Sequence, residues 1–596
     1  MAPIHEQLRR RPRGSTARRG HRGVRAAGGA ARQHDGEMHF EKMGDVTGTS
    51  FPEKNHNLRY QKDITMKQQS LSDFVNDLEK IGQLVRIRDE KRVDELPMIM
   101  ENNPDKAVFV EKVKDSEFQF LANAYSNRIQ YAHALDCKPE ELAQKVAEIG
   151  SKTFKPVLVN TAPCKEVILK GEDVDLTKLP LFLHHAHDGN AYLQDTSVIS
   201  HDPDTGLINW GIYRMMFRSK NETNIDMRND THKARVHAKK YQAKGEDMPV
   251  AIIIGGPTLE KIASMYTLRG VDDWEVLGGF YDEPVKLVKC ETNDLTVPTN
   301  AEIVIEGRVI TTEGWIYDEG PYGEFTGTYG GGLPENCRVV VDCITYRKGG
   351  IYQHATIGGL HPGRTDMAVW NATIEADIYT ALKNAGIGIL NVYIPNNGST
   401  NIAYARIKTV AGGDAKQALG IMLTCSRQWL PKIAYVFDED VDIFDPDRVM
   451  WAFAWRLDPA QDIMILPGQN VLPLEPMCMT NKPPVHLAKV GFDCTIPLVG
   501  DVDRLSFAAC TVTEPFGDFP KDVKVMTEAE LVAAMSKYLE EKPRTWLEIL
   551  RQYHGQPYPN IYRAFGELRP KLGRMANERP AYPYSFSESC FIHNKK

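Results

Sequence analysis

Residues 319 to 324 read Glu-Gly-Pro-Tyr-Gly-Glu, two carboxylates five residues apart on a segment whose glycines and proline rule out a helix. The segment is therefore a shaped loop. The run before it, KLVKCETNDLTVPTNAEIVIEGRVI, alternates apolar and polar residues as strands do. Glu319 and Glu324 are thus expected at the edge of a sheet, held by a rigid turn. Two acids held this way can divide acid and base work if the general acid has a raised pKa and its partner has a cation to keep it ionised. An arginine is the cation to look for. The alternative is a solvated Gly-Pro turn with two surface acids.

A chain of 596 residues is too long for one core, so about two or three domains are expected. Its net charge of -7 gives no reason to expect a nucleic-acid partner, and no apolar run reaches the length of a membrane span. The ten cysteines include no C-x-x-C pair, which argues against a zinc ribbon or disulfide framework and for a reducing compartment, the cytoplasm. Residues 1–40 carry nine arginines and few large apolar residues, too little to bury a core. They read as part of a disordered extension running to residue 67, as a presequence, or as the product of a start assigned upstream of Met66.

Order is expected from the segment SLSDFVNDLEKIGQLVRI, a helix capped by Ser70 or Ser72 and closed by Gly82, and then a strand. His184, His185 and His187 are the densest histidine cluster, open to a metal, a pocket-lining or a surface reading. Tyr192 to Ser200 reads as one strand of a hairpin, HDPDTG as its turn and INWGIYRMMF as the other strand. Strand alternation places Arg214 on the face of Trp210, with Asn209 and Gly211 opposite. His232, Asn209 and one acid of the 272–275 patch would make a mixed nitrogen and oxygen set suited to manganese or magnesium, although composition cannot pair residues so distant.

Beyond residue 340, strands alternate with helices, which implies a partly parallel sheet. Lys432 precedes an apolar strand, as a phosphate anchor or a surface lysine. Thr527 and Glu530 form a capping box opening a helix with one apolar stripe, for packing or dimerisation. The tail beyond about residue 545 shows no clear pattern and is expected to dock on the body.

Taken together, NWGIYR, LVKCETNDLTVPTNAEIVIEG, EGPYGEFTG and PKIAYVFDEDVDIFDPDRVMWAFAWRLDP resemble the UbiD family of decarboxylases, over residues from about 68 to 520. The resemblance implies an α/β (α+β) chain: an N-terminal α/β domain at 68–172, a split-barrel flavin domain at 173–340, a C-terminal α/β oligomerisation domain at 341–545 and a tail at 546–596. It implies reversible, non-oxidative decarboxylation of an aromatic, heteroaromatic or α,β-unsaturated acid with prenylated FMN, a divalent ion (usually Mn2+) and K+. By the motifs, Arg214 matches the catalytic arginine, Glu319 its paired carboxylate and Glu324 the proton donor, whose pKa should be raised towards neutrality. Asn209 and His232 match metal ligands. Asp273 stands where the family has a glutamate, with Glu275 as the alternative, and DGNAY at 188–192 lacks a second glycine that relatives often carry. Ile212, Tyr213 and Thr231 resemble cofactor-lining positions, and Lys432 resembles the lysine at the cofactor phosphate.

The implied partners are a flavin prenyltransferase that supplies the cofactor and further copies of the chain, a homodimer at least. Two other readings stand beside this one. The chain could be the catalytic subunit of a multi-subunit carboxylase, or a flavin oxidoreductase in which Glu319 and Glu324 are structural, although no Gly-x-Gly-x-x-Gly follows a strand. A non-catalytic scaffold would leave the paired acids and Arg214 without a purpose.

Overall fold

The computed structural model describes residues 68–574 and 590–593, except 228–231, 362, 364–365, 399, 427–428, 480–485, 543 and, within 499–522, all but 507, 510, 512 and 515–517. The first helix, Leu71–Lys80, starts where Ser70 Oγ accepts the Asp73 N–H at 3.1 Å, and Gly82 turns the chain at φ 72°. Its apolar face, Leu71, Phe74, Val75 and Leu78, is buried. The strands Leu84–Ile87, Ala107–Val110 and Gln119–Ala122 form a sheet that is completed in parallel by Ile351–His354, from far along the chain.

The central sheet runs Tyr192–Leu193, Met215–Ser219, Glu222–Asn224, Arg338–Tyr346, Ile303–Val309, Met248–Ile254, Thr196–His201, Ile208–Ile212, with Val167–Lys170 added to Arg338–Tyr346. Its first rows and its last rows are stretches of the same two chain segments, so the sheet curls back on itself as a split barrel. Both faces of its middle strand are covered. Met248, Val250, Ile252 and Ile254 enter one core cluster, while Ala251 and Ile253 enter another with Trp274 and Leu277. That explains the unbroken apolar run MPVAIII in place of an alternating one.

The expected hairpin exists, but neither arm is one strand. The ladder breaks at 194–195 and again at 213–214, where the two arms bend together, and Tyr213 N–H still donates to the Thr196 carbonyl at 3.0 Å. Counting alternate faces from Trp210 to Arg214 therefore fails, because the period of two holds only inside a continuous strand.

A five-stranded sheet follows, in the order Gly388–Tyr393, Ile402–Lys408, Ile433–Asp438, His486–Cys494, Ile463–Asn470. Its three middle strands are parallel. Helices Val369–Asn384 and Asp414–Thr424 cover one face through Ile374, Ile378, Leu419 and Met422. The tail docks on the preceding helix and carries helices that its pattern did not announce. Helices Trp546–Gln552 and Tyr558–Leu568 pack with Glu528–Glu541 around Leu531, Met535, Leu539, Ile549, Ile561 and Leu568. Thr545 caps the first of them in a second capping box, a signal that the tail sequence carries openly.

Candidate active site

The stretch Glu319 to Glu324 is a pair of short strand ends joined by a turn. Tyr317–Glu319 pairs with Leu333–Asn336, and Tyr322–Gly323 with Tyr329–Gly330. The glycine run 330–332 thus serves as the partner of the acid loop. A Cβ at Gly330 would lie 2.6 Å from Glu324 Oε1, so only glycine lets the carboxylate lie there undisturbed.

Arg214 sits at the break in its strand and reaches both acids. Nε and Nη2 donate to the two oxygens of Glu319 at 2.9 Å each, and Nη1 donates to Glu324. The Tyr192 hydroxyl donates to Glu319 Oε1 at 2.8 Å, and the Tyr322 ring lies under the guanidinium at 4.3 Å. All of it is withdrawn from water: the Arg214, Glu319 and Glu324 side chains are 8%, 0% and 4% exposed. Burial by itself lowers the pKa of the guanidinium, but the surrounding carboxylates of Asp226, Glu324 and Glu319 hold it well above its ordinary value. A fixed cation forked on one acid and touching a second is the arrangement needed to bind a carboxylate substrate and hold a proton beside it.

A second group forms alongside. Asn209 is buried on the strand Ile208–Ile212, with Nδ2 in no well-formed hydrogen bond, and its side chain lies beside the Tyr213 hydroxyl. Burial pushes the Tyr213 phenol up to about 12, and the Tyr213 ring meets the His232 ring edge-on at 5.8 Å. Asp273, the first residue of helix Asp273–Tyr281, accepts the Trp210 N–H at 2.8 Å and the Lys233 ammonium at 3.1 and 3.2 Å. It is therefore tied to the chain neighbours of both Asn209 and His232. Burial raises the Asp273 pKa, and Lys233 opposes that rise. Glu275, two residues further on the helix, faces away from Asp273.

Lys432 precedes the strand Ile433–Asp438 of the five-stranded sheet. Its ammonium meets Glu475 Oε2 at 2.9 Å, an oxygen that also accepts from Asn401. Ile212 closes its strand opposite Ser197, and Thr231 lies outside the described residues. Among the described residues no group of three or more His, Cys, Asp or Glu could hold a metal ion, so the histidine cluster is not a metal centre by itself. Instead, His185 Nδ1 pairs with Asp188 Oδ2 at 3.0 Å, and Asp188 Oδ1 accepts the Gly323 N–H at 2.8 Å, so the cluster supports the acid loop. His184 stacks on His185 with ring centres 4.2 Å apart.

Sequence reasoning passed over Tyr192, Asp226 and Lys233. Lys233 adjoins His232, and Tyr192 begins a strand that the pattern did show. Asp226 had one signal, a lone acid between Ile225 and Met227, both fully buried.

Comparisons with known proteins identify the family. Three family models match, described as the N-terminal, Rift-related and C-terminal domains of 3-octaprenyl-4-hydroxybenzoate carboxy-lyase, over residues 75–149, 155–361 and 367–494. A phenolic acid decarboxylase of Sedimentibacter hydroxybenzoicus is 30% identical, over 72% of this chain and 92% of its own. The UbiD-class enzyme HmfF of Pelotomaculum thermopropionicum, solved with FMN, superposes with a TM-score of 0.68 at 29% identity, over 74% of this chain and 97% of its own. An evolved dimeric form of HmfF, solved with prenylated FMN, has a TM-score of 0.64 at 29% identity, over 73% and 96%. With its three-part architecture and its forked arginine, this chain belongs to the UbiD family of decarboxylases and is a carboxy-lyase.

Proposed function

We propose that the chain decarboxylates an aromatic, heteroaromatic or α,β-unsaturated carboxylic acid, reversibly and without net oxidation, with prenylated FMN held beside Arg214. The observation that carries this is the buried fork of Arg214 on Glu319 with Glu324 on its remaining nitrogen. Prenylated FMN, when bound, supplies the electron sink for the pair left on the substrate carbon as carbon dioxide departs.

The protein's own work is positional and protic. Arg214 orients the substrate carboxylate by charge and by its planar donors. Three donors converge on Glu319, two from Arg214 and one from Tyr192, an arrangement that suits an anion and keeps the guanidinium in place. Glu324 holds the proton and delivers it from its carboxyl oxygen to the carbon that has lost carbon dioxide. Burial of all three side chains excludes bulk water as a competing proton source.

Asn209, His232 and Asp273 are the residues that would hold a divalent ion, manganese in the first instance. They fit it in two respects. No well-formed hydrogen bond holds Asn209 Nδ2, so the buried amide could turn its oxygen, the atom that binds cations, to the ion, and the Asp273 carboxylate already attracts a cation, the Lys233 ammonium. A metal held there would compete with that ammonium, which now meets both Asp273 oxygens at 3.1 and 3.2 Å. Such an ion would supply positive charge for the cofactor phosphate. Lys432 is assigned to that phosphate together with potassium, in competition with its present partner Glu475. A flavin prenyltransferase supplies the cofactor, and the working form is a homodimer or larger.

The test is co-expression with a flavin prenyltransferase, followed by an absorbance spectrum and a screen of aromatic and unsaturated acids for carbon dioxide release. Glu324→Gln should abolish turnover while folding and flavin absorbance persist. Substantial turnover by that variant would remove Glu324 from the donor role.

A further inference from the structure

Arg214 meets a third acid, one that none of the motifs contains. Besides donating to Glu319, its Nη2 stands 3.2 Å from Asp226 Oδ2, and the Asp226 backbone N–H donates to the Arg214 carbonyl at 3.1 Å. A hairpin builds this contact. Met215–Ser219 folds back on Glu222–Asn224, so the residues just outside the two strands return opposite each other. Ile225 and Met227 pack into the core on either side and fix Asp226 there.

One guanidinium now faces three carboxyl groups, with side chains 13% exposed at Asp226, 0% at Glu319 and 4% at Glu324. With all three ionised, two negative charges would stay uncompensated in a space shielded from water, where like charges a few ångströms apart repel strongly. One carboxyl therefore keeps a proton. Glu319 accepts two bonds from Arg214 and one from Tyr192, which leaves its oxygens to donors. Asp226 is the most exposed of the three. Glu324 is the group that remains.

We infer that Asp226 is a positioning residue: it draws the charge of Arg214 away from Glu324 and so keeps the Glu324 carboxyl protonated for the donor step. The inference rests on the reading of Glu324 as proton donor. Among the described residues, the other titratable groups around Glu324 include Tyr322 and Tyr329 of its own hairpin, Tyr192 packed on Tyr322, and the His185–Asp188 pair under Gly323. Burial holds the Tyr192 and Tyr322 phenols well above their ordinary range. The imidazole of His185 is paired with Asp188. Comparing an Asp226 variant with its parent leaves all of these unchanged.

Asp226→Asn keeps the size of the side chain and removes its charge. In enzyme loaded with prenylated FMN, the alkaline limb of the kcat profile should move to lower pH by about one unit, with turnover beyond the limb falling about tenfold. KM and flavin absorbance should hold, and Asp226→Glu should restore the parent limb. Asp226→Ser is a second uncharged variant that needs no extra room and should move the limb the same way. In flavin-free protein, the infrared carboxyl band that disappears in Glu324→Gln should titrate at correspondingly lower pH in Asp226→Asn. A limb and a band that both stay in place overturn the inference and leave the decarboxylase reading standing. A parent enzyme that releases carbon dioxide from no acid overturns that reading instead, and the infrared titration still decides the role of Asp226.

Discussion

At the scale of single residues, the chemistry turns on what a guanidinium can do and an ammonium cannot. Arg214 spans Glu319 with two parallel N–H bonds, reaches Glu324 with a third nitrogen and stacks on Tyr322. A lysine carries the charge but has neither the fork nor the planar face. Arg214→Lys is therefore expected to lose about a hundredfold in turnover through misplacement of both acids. Flavin content should be unaltered, as measured by absorbance of the purified variant beside a carbon dioxide release assay. Arg214, Glu319 and Glu324 were legible because each lies in a compact motif. Asp226 was not, since its partner is chosen by a hairpin register that no local pattern announces.

At the scale of elements, the acid loop depends on the segment 185–189 that supports it. Gly189 N–H donates to the Pro321 carbonyl at 2.7 Å, and a Cβ on Gly189 would stand 2.3 Å from the Gly320 carbonyl oxygen. The obstacle is backbone, so it cannot rotate out of the way. Gly189→Ala should push the loop aside and cost about 1–3 kcal/mol of stability. Turnover should fall at least about tenfold, because Glu319 and Glu324 flank the displaced Gly320. Thermal melts and assays on the same preparation check both effects, and full activity in a stable variant would show that the loop does not lean on Gly189. The sequence marks DGNAY at 188–192 only as a departure from the family pattern. That this segment braces the acid loop, 135 residues away, emerges only when the two are folded together.

At the scale of the whole molecule, the parts are joined by buried ion pairs as well as by apolar packing. Arg128, ahead of the central barrel, donates from Nη1 to both oxygens of Glu375 at 2.7 and 2.8 Å, and Glu375 sits on the long helix Val369–Asn384. Glu375 is fully buried and also accepts the Ile394 N–H at 2.8 Å. Burial raises its pKa, and Arg128 works against that rise. Arg128→Met would leave the carboxyl buried without its cation, at a cost of about 3–5 kcal/mol. Denaturant melts should show the loss. A double variant with Glu375→Gln should recover part of it, and no recovery would mean that Arg128 acts through its stacking on Tyr393 and Phe444 instead.

By itself, the sequence determined the local shapes and the chemical cast: the first helix and its cap, the non-helical acid loop, the strand-helix alternation after residue 340, and the residue types able to bind a carboxylate and hold a proton. Those follow from backbone preferences and side-chain chemistry, which act over a few residues. Only the tertiary structure decided where the hairpin arms break, that Arg214 faces three acids instead of two, that Lys233 sits on Asp273 and that the tail helices pack on Glu528–Glu541. Each of these depends on which strand or helix lies beside which, and that is set by the closure of the barrel and the burial of its two faces rather than by any short stretch of chain.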